Sequence, residues 1–294
     1  MTPARDIAAT LGVEWQSDTP LIIPEVWDVA SARLLENSNY PVLCTSASSY
    51  AWAHGYRPSE RVGLEELLII AGRIARDCKT PLIADLEGCF DRSNQFVKKG
   101  VVAALTIGCK GIVIGDGGRD GLQQMLGIIE VANRIKSARI AEMEQKKKLF
   151  LIARTDVFHL AGIMANPFEE AINRASAYLN AGADLIHVSG IQNPDVVAEL
   201  CARINGPVAI TVSLSGAPSL ERYNDSGVAV IALGTGLMRA AFTNMKAIAE
   251  ELLGNGSFNY LNDAMTDNDL SDLITAPDQG NAALHAMLHK SASS

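Results

Sequence analysis

Two carboxylates stand close together in the segment PLIADLEG, residues 81–88. The apolar run at 81–84 is typical of a buried parallel strand, with Asp85 at its end and Glu87 two residues further on. Because residues i and i+2 of an extended chain point to the same side, both carboxylates can face one point. Hard oxygen ligands of this kind hold hydrated Mg²⁺ in many proteins. The alternative interpretation is that one carboxylate caps the next helix while the other is solvated.

Polar side chains also follow the other apolar runs of the chain. They are found at 24–28 (PEVWD), 45–49 (TSASS), 115–118 (GDGG), 154–156 (RTD), 187 and 189 (His, Ser), and 211 and 213 (Thr, Ser). Such residues would be costly in a core without partners. A single polar cavity at one end of a set of parallel strands is the simplest explanation.

An anion could bind at two of these strand ends. The turn at 46–48 (Ser-Ala-Ser) has small side chains and exposed N–H groups, which suit a carboxylate or a phosphonate. Arg154 could hold the same anion with a forked, bidentate contact. The alternative for Arg154 is an ion pair with Asp156 or Asp116. We favour the substrate contact, because the strand ends of an α/β barrel carry its chemistry.

The elements that would position these residues alternate regularly. Strand-like apolar runs occur at 21–23, 42–45, 82–85, 111–114, 150–153, 184–188, 208–212 and 228–233. Helical patterns occur at 29–36, 64–77, 95–107, 122–145, 167–179, 194–204, 219–224 and 238–253. This alternation predicts an α/β fold, a (β/α)8 TIM barrel spanning residues 1–254. The polar segment 255–294, with a helix-like patch near 281–289, is expected to form a C-terminal helical tail.

Composition narrows the classes of function. The chain has 294 residues, a formal charge of −8 and, beyond the three lysines at 146–148, no basic patch, which argues against nucleic-acid binding. Its five cysteines show no CxxC spacing and are interpreted as reduced thiols of a cytosolic protein. The N-terminal residues lack an apolar signal region, and no stretch is long enough to cross a membrane. We therefore expect a cytoplasmic protein that acts on small molecules.

Three further features have weaker interpretations. Cys89 could be a nucleophile, but apolar surroundings raise the pKa of a thiol, and a buried structural cysteine is the simpler account. His187 could act as a base or could be an interior histidine bonded to a neighbouring strand end. The glycines at 115–118 lack the GxGxxG spacing of a phosphate-binding loop.

At this point the motifs can be compared with a known family. The chain resembles the isocitrate lyase / phosphoenolpyruvate mutase superfamily in an ordered set of segments that covers most of residues 21–253. The set comprises PEVWDVASARLLE (24–36), CTSAS (44–48), PLIADLEG (81–88), LIARTDVF (151–158), EEAINRASAYLNAGADLIHV (169–188) and, at the end of the barrel, GVAVI (227–231) and LMRAA (237–241). The resemblance implies a barrel with one Mg²⁺ (Mn²⁺ as an alternative), a 2-oxo or 2-hydroxy carboxylate substrate and a metal-bound pyruvate enolate. It also implies dimers or tetramers that exchange C-terminal helices between subunits.

The resemblance assigns a metal site residue by residue. Asp85 matches the family's most constant metal-binding aspartate, and Glu87 stands where a second aspartate is usual. Asp116 falls in an acidic pair after the fourth strand, although the usual glutamate partner is Gly115 here. Asp85, Glu87 and Asp116 are therefore the expected ligands of the ion, and Asp85 and Arg154 the expected catalytic residues.

The resemblance also assigns a substrate-binding set, which matches the carboxylate-holding arginine, the backbone cradle and the pocket wall of the family. Its members are Trp27, Asp28, Thr45, Ser46, Ala47, Arg154 and Ser189.

Several departures from the family pattern leave the reaction open. The lyases carry a Lys-Lys-Cys-Gly-His type loop with a catalytic cysteine, but residues 115–124 read GDGGRDGLQQ here. The Glu-Asp-Lys and Asn-Ser motifs of the mutases are missing, Pro58 replaces an acidic residue, and Ser189 stands where lyases have a glutamate. The first hypothesis is a Mg²⁺-dependent lyase or hydrolase that cleaves a C–C bond. The alternatives are C–P chemistry on phosphonopyruvate or phosphoenolpyruvate, and an inactive barrel that binds a small acid.

Overall fold

A sheet of nine parallel strands lies at the centre of the computed structural model, which describes residues 2–56, 62–87, 94–117, 125–162 and 164–275. The strands are β1 (Leu21–Ile23), β2 (Glu25–Val26), β3 (Leu43–Thr45), β4 (Leu82–Asp85), β5 (Gly111–Gly115), β6 (Phe150–Thr155), β7 (Leu185–Val188), β8 (Val208–Thr211) and β9 (Val230–Ala232). Their spatial order is β1-β9-β8-β7-β6-β5-β4-β3-β2. Every neighbouring pair is parallel, as the alternating sequence pattern requires.

The segment 21–26 closes the sheet into a barrel. Its first half, β1, pairs with β9, and its second half, β2, pairs with β3. Pro24 separates the halves because proline has no N–H to donate to a ladder, although its carbonyl still accepts from Cys44 N at 3.0 Å. The two short strands therefore act as one strand of an eight-stranded ring. The predicted (β/α)8 TIM barrel is confirmed.

Helices follow each strand of the ring and surround it. In the described part of the chain they are α1 (Pro3–Leu11), α2 (Val29–Asn37), α3 (Ala47–Ala53), α4 (Leu64–Asp77), α5 (Asn94–Ile107), α6 (Ile128–Gln145), α7 (Pro167–Ala181), α8 (Pro194–Arg203), α9 (Glu221–Asn224), α10 (Gly236–Asn255) and α11 (Asp267–Ile274). One apolar core lies between the strands and these helices.

A second apolar cluster fills the inside of the barrel. Alternate residues of the strands, such as Ile83 and Ile152, point inward there and meet Ile7 and Leu11 of α1. Helix α1 begins with a proline in its first turn and ends at Gly12, whose φ of 79° suits glycine. This helix therefore covers the apolar inside of the barrel and leaves the polar strand ends free for a site.

The C-terminal region packs only partly on the barrel. Met238 is the one residue of α10 that is buried, while α11 packs against α2. Residues 276–294, including the helix-like patch near 281–289, lie outside the described residues. None of the described helices is both long enough and apolar enough to span a membrane.

Candidate active site

A cavity of about 480 Å³ opens at the ends of the strands where the polar residues were predicted to meet. Its volume falls within the usual range for small-molecule sites. Six of the predicted site residues line it: Ser46, Ala47, Asp85, Glu87, Arg154 and Ser189. The cavity also contains residues outside the expected metal and substrate-binding sets, among them Glu25, Asp156 and His159.

The carboxylate pair reaches the cavity by a different geometry from the one predicted. Strand β4 ends at Asp85, and Glu87 adopts a left-handed backbone with φ of 49°. The Asp85 carboxylate holds this turn by accepting a hydrogen bond from Glu87 N at 2.9 Å. Both side chains still line the cavity, so a side-chain-capped turn, rather than strand alternation, sets their relation.

Thr45 supports Asp85 from beneath. Its hydroxyl accepts a hydrogen bond from Asp85 N at 2.8 Å, and its side chain is buried outside the cavity lining. Predicted as a substrate contact, Thr45 instead fixes the backbone of the principal carboxylate.

Arg154 at the end of β6 binds two carboxylates. Its Nη1 lies 3.2 Å from Asp85 Oδ2, and its Nε lies 3.1 Å from Asp156 Oδ1. Gly115 makes room for this arrangement, because a Cβ there would lie 3.0 Å from Arg154 Nη2. The ion pair with Asp156 that the sequence left as an alternative is present, and the guanidinium also lines the cavity.

The anion cradle predicted at 46–48 is the start of helix α3. Ser46 is the N-cap, and its hydroxyl oxygen accepts from Ser49 N at 3.3 Å. Ala47 and Ser48 line the cavity in the first turn, where N–H groups have no partner within the helix. The stretch resembles a turn in the sequence because three of the four residues 46–49 are serines, which weaken a helical pattern.

Glu25 is a cavity residue that sequence reasoning missed. It lies in β2, is half-buried, and lines the cavity at the mouth of the barrel. Burial raises its pKa from 4.5 to about 7, with a further contribution from the Asp85 carboxylate. The sequence feature that could have identified Glu25 as a cavity residue is a carboxylate within the first strand segment, next to Pro24.

Asp116 is not part of the cavity lining. It is fully buried, and its Oδ1 accepts from Asp156 N at 2.9 Å. Its Oδ2 accepts from Arg174 Nη1 and from the Tyr178 hydroxyl, both at 3.0 Å. The expected metal ligand is thus engaged in a buried network with α7. The structure corrects the expected placement of Asp116 because its partners come from a helix that is distant in sequence.

Trp27 and Asp28 also lie outside the cavity lining. The Asp28 carboxylate caps α2 by accepting from Ser31 N at 2.7 Å, within a capping box. Trp27 is partly buried against the core between strands and helices. The pocket-wall role expected for these two residues is therefore not supported by their positions.

His187 faces the cavity from β7 but is committed to a neighbour. Its Nε2 lies 2.7 Å from Thr211 Oγ1, at the end of the adjacent strand β8. Burial, together with the nearby Arg154 charge, lowers its pKa to about 3, so the imidazole is neutral at physiological pH. The interior-histidine interpretation describes this residue, which is a weak base.

The donor chemistry of the cavity fits Mg²⁺. Glu25, Asp85 and Glu87 present hard carboxylate oxygens to one space. Among the described residues, no three potential ligands converge closely enough to hold one ion directly. These carboxylates would therefore hold a hydrated ion partly through water. Cys89, Pro58 and residues 118–124 lie outside the described residues.

The chain is similar to known proteins both in sequence and in fold. The family model described as phosphoenolpyruvate phosphomutase matches residues 15–253. A phosphoenolpyruvate phosphomutase from Streptomyces hygroscopicus is 26% identical over 77% of this chain and 74% of its own length. A 2-methylisocitrate lyase from Aeropyrum pernix is 23% identical over 86% of this chain and 82% of its own. The structure of an oxaloacetate acetylhydrolase bound to oxalate has the same fold, with a TM-score of 0.77, 21% identity and coverage of 100% and 99% of the two chains.

Proposed function

Because this chain belongs to the phosphoenolpyruvate phosphomutase family, within the isocitrate lyase / phosphoenolpyruvate mutase superfamily of lyases, mutases and hydrolases, we propose that it is a Mg²⁺-dependent enzyme of small-acid metabolism. The proposed reaction cleaves or hydrolyses a C–C bond of a 2-oxo or 2-hydroxy carboxylic acid through an enolate. The observation that carries the proposal is the meeting of Asp85, Glu87 and Arg154 with the 46–48 turn in one cavity.

The cavity residues would form a cation-binding set and an anion-binding set, which meet at the Asp85–Arg154 ion pair. Asp85 and Glu87, with Glu25 beside them, would hold Mg²⁺ and its waters. When bound, the ion supplies Lewis-acid stabilisation of the negative charge that develops on the substrate's oxygen. Arg154 and the first-turn N–H groups of α3 would hold the substrate carboxylate.

C–P bond chemistry is the second candidate function. The matching family model and a curated relative are phosphomutases, and N–H groups at a helix start suit a phosphonate as well as a carboxylate. The mutase motifs missing from the sequence argue against the mutase reaction itself.

We also propose that the chain assembles as a homodimer or homotetramer. Large apolar side chains remain exposed on α10 and beyond it, including Phe242 (46%), Met245 (64%) and Leu253 (90%). Several large apolar side chains exposed on one helix are typical of a protein–protein interface. A second copy of the chain is the partner that the family resemblance implies.

A substrate panel tests the reaction class. The purified protein with Mg²⁺ would be incubated with oxaloacetate, 2-methylisocitrate and phosphonopyruvate, and products followed by ¹H and ³¹P NMR. We expect C–C cleavage of one of the carboxylic acids, lost in Asp85→Ala and retained in Asp77→Asn, a carboxylate at the end of α4 that does not line the cavity. Turnover of phosphonopyruvate alone would favour the second candidate, and no turnover would indicate an inactive binding protein.

A further inference from the structure

An imidazole and a hydroxyl form a pair on the side of the cavity away from Asp85. Ser189 directly follows β7, and His159 lies in a 3₁₀ turn (Val157–Leu160) directly after β6. His159 Nε2 lies 2.9 Å from Ser189 Oγ, and both residues line the cavity. Strands β6 and β7 are two and three strands round from β4 in the ring, so the pair lies on a different side of the mouth from Asp85 and Glu87, and the nearby Asp156 is bonded to Arg154.

The two loops that carry this pair pack directly on each other. Gly190 has a φ of 86°, and a Cβ there would lie 3.1 Å from His159 N and 3.2 Å from the Phe158 carbonyl carbon. Ser189 N also donates to Thr155 O at 3.0 Å. Glycine at 190 thus permits a close backbone approach that fixes the imidazole against the hydroxyl.

The surrounding charges show why this pair matters for an anionic substrate. Glu25, Asp85 and Glu87 bring negative charge to the other side of the cavity, and Arg154 is already bonded to two carboxylates. His187 is bonded to Thr211. On the β6–β7 side, the His159–Ser189 pair therefore supplies hydrogen-bond donors that are not committed to a carboxylate.

The chemistry of the pair fits a second anionic group. The hydrogen bond to Ser189 uses Nε2 of His159, and no described residue bonds to Nδ1. An imidazole can donate from its second nitrogen, and from both nitrogens when protonated, while a hydroxyl can turn to donate to an anion. The cavity of about 480 Å³ has room for more than a two-carbon diacid.

We propose that His159, oriented by Ser189, is a substrate-binding residue that holds the anionic group at the far end of the substrate, away from the carboxylate held by Arg154. This inference rests on the proposed function and extends it to specificity. It assigns recognition of a second carboxylate to the β6–β7 side of the cavity.

Calorimetric titration with two ligands tests the assignment. Oxalate has no far-end group, whereas 3,3-difluorooxaloacetate carries a second carboxylate beyond its 2-oxo acid part. Each would be titrated with Mg²⁺ into wild type, His159→Ala, Ser189→Ala and the control Ser38→Ala, whose hydroxyl bonds to Leu34 O on α2 and does not line the cavity. Both cavity variants should bind difluorooxaloacetate at least tenfold more weakly and oxalate within twofold of wild type.

The outcomes separate this inference from the proposed function. Equal weakening of both ligands would show that the pair only maintains the fold of the site, and unchanged affinity for both would show that it does not touch substrate. If wild type itself binds oxalate with Mg²⁺, either result in the variants overturns the His159 assignment alone. Failure of wild type to bind either ligand with Mg²⁺ would overturn both the proposed function and the assignment.

Discussion

Arg154 occupies the centre of the site as a residue with two carboxylate partners. Asp85 and Asp156 share its guanidinium. A substrate carboxylate must therefore compete with a protein carboxylate for the same donors. The planar fork of arginine can serve two acceptors at once, which a lysine ammonium cannot reproduce.

Arg154→Lys should weaken oxalate binding sharply. Loss of one charge-assisted hydrogen bond costs about 1.5–3 kcal/mol, so we expect the dissociation constant to rise roughly tenfold to a hundredfold. Calorimetric titration in the presence of Mg²⁺ measures this change. Arg203→Lys, an arginine that pairs with Glu169 outside the cavity, is the matched control. A wild-type affinity in Arg154→Lys would mean that Arg154 is purely structural.

Glu25 predicts a pH dependence of stability in metal-free protein. Its carboxyl has a pKa of about 7 in the fold against an ordinary value of 4.5, so the folded state binds the extra proton more tightly. The unfolding free energy of wild type should therefore fall as pH rises from about 4.5 to about 7. Glu25→Gln cannot ionise, so its stability relative to wild type should be greater at pH 8 than at pH 4.5.

Urea unfolding in EDTA at the two pH values measures this difference. Glu65→Gln, which alters a carboxylate in the first turn of α4 and outside the cavity, serves as the control. The same relative stability for Glu25→Gln at both values would show that the Glu25 carboxyl is not perturbed.

The sequence could predict the site residues that lie at the end of a strand, because their placement depends on that strand alone. Asp85, Arg154 and the 46–48 turn were found in this way and do meet in the cavity. Asp116 was misplaced because its partners, Arg174 and Tyr178, belong to α7, and one sequence does not show that contact. Glu25 was passed over because its environment, not its spacing, makes it unusual.

Asp116 connects two elements of the fold, the end of β5 and helix α7. Arg174 donates to Asp116, to the Tyr178 hydroxyl and to Leu126 O, at 3.0, 3.2 and 2.9 Å. Leu126 N in turn donates to Asp116 O at 2.7 Å. This network ties Asp116, which directly follows β5, to Leu126, which lies two residues before α6.

Asp116→Ala should destabilise the fold more than it disturbs the metal site. Removing one partner of a buried ion pair costs about 3–5 kcal/mol, whereas Tyr178→Phe removes a single hydrogen bond and should cost about 1 kcal/mol. Urea unfolding measures both losses. The Mg²⁺ dependence of oxalate binding should persist in Tyr178→Phe, and in Asp116→Ala below its lower melting temperature. Full stability with lost Mg²⁺ dependence in Asp116→Ala would restore Asp116 as a metal ligand.

Regular elements were the most predictable part of the fold. Helix α4 was predicted with its observed bounds, and the predicted strands overlap the observed ones, because strong apolar periodicity is a local property. Helices α1 and α3 were not predicted. Helix α3 is short and serine-rich. Helix α1 is stabilised by packing against the barrel interior, and a local sequence pattern does not indicate such packing.

Helix α10 presents apolar side chains to solvent along one face. Met245 and Leu253 are eight residues apart, a spacing that places them on the same side of a helix. We expect sedimentation at micromolar concentration to show a dimer or tetramer. Met245→Lys with Leu253→Lys should shift the distribution toward smaller species, while Lys246→Gln, a charged position on the same helix, should not. A wild-type monomer would contradict the proposed assembly.

A thermal-shift titration with oxalate tests whether the cavity binds Mg²⁺ together with an enolate-like acid, as we propose. Wild type and Asp85→Ala would be melted with oxalate, with Mg²⁺, with both, and with neither. Oxalate should raise the melting temperature of wild type in a concentration-dependent way only when Mg²⁺ is present, and this stabilisation should vanish in Asp85→Ala. Equal stabilisation with and without Mg²⁺, or no stabilisation of wild type under any condition, would contradict a joint site for Mg²⁺ and the acid.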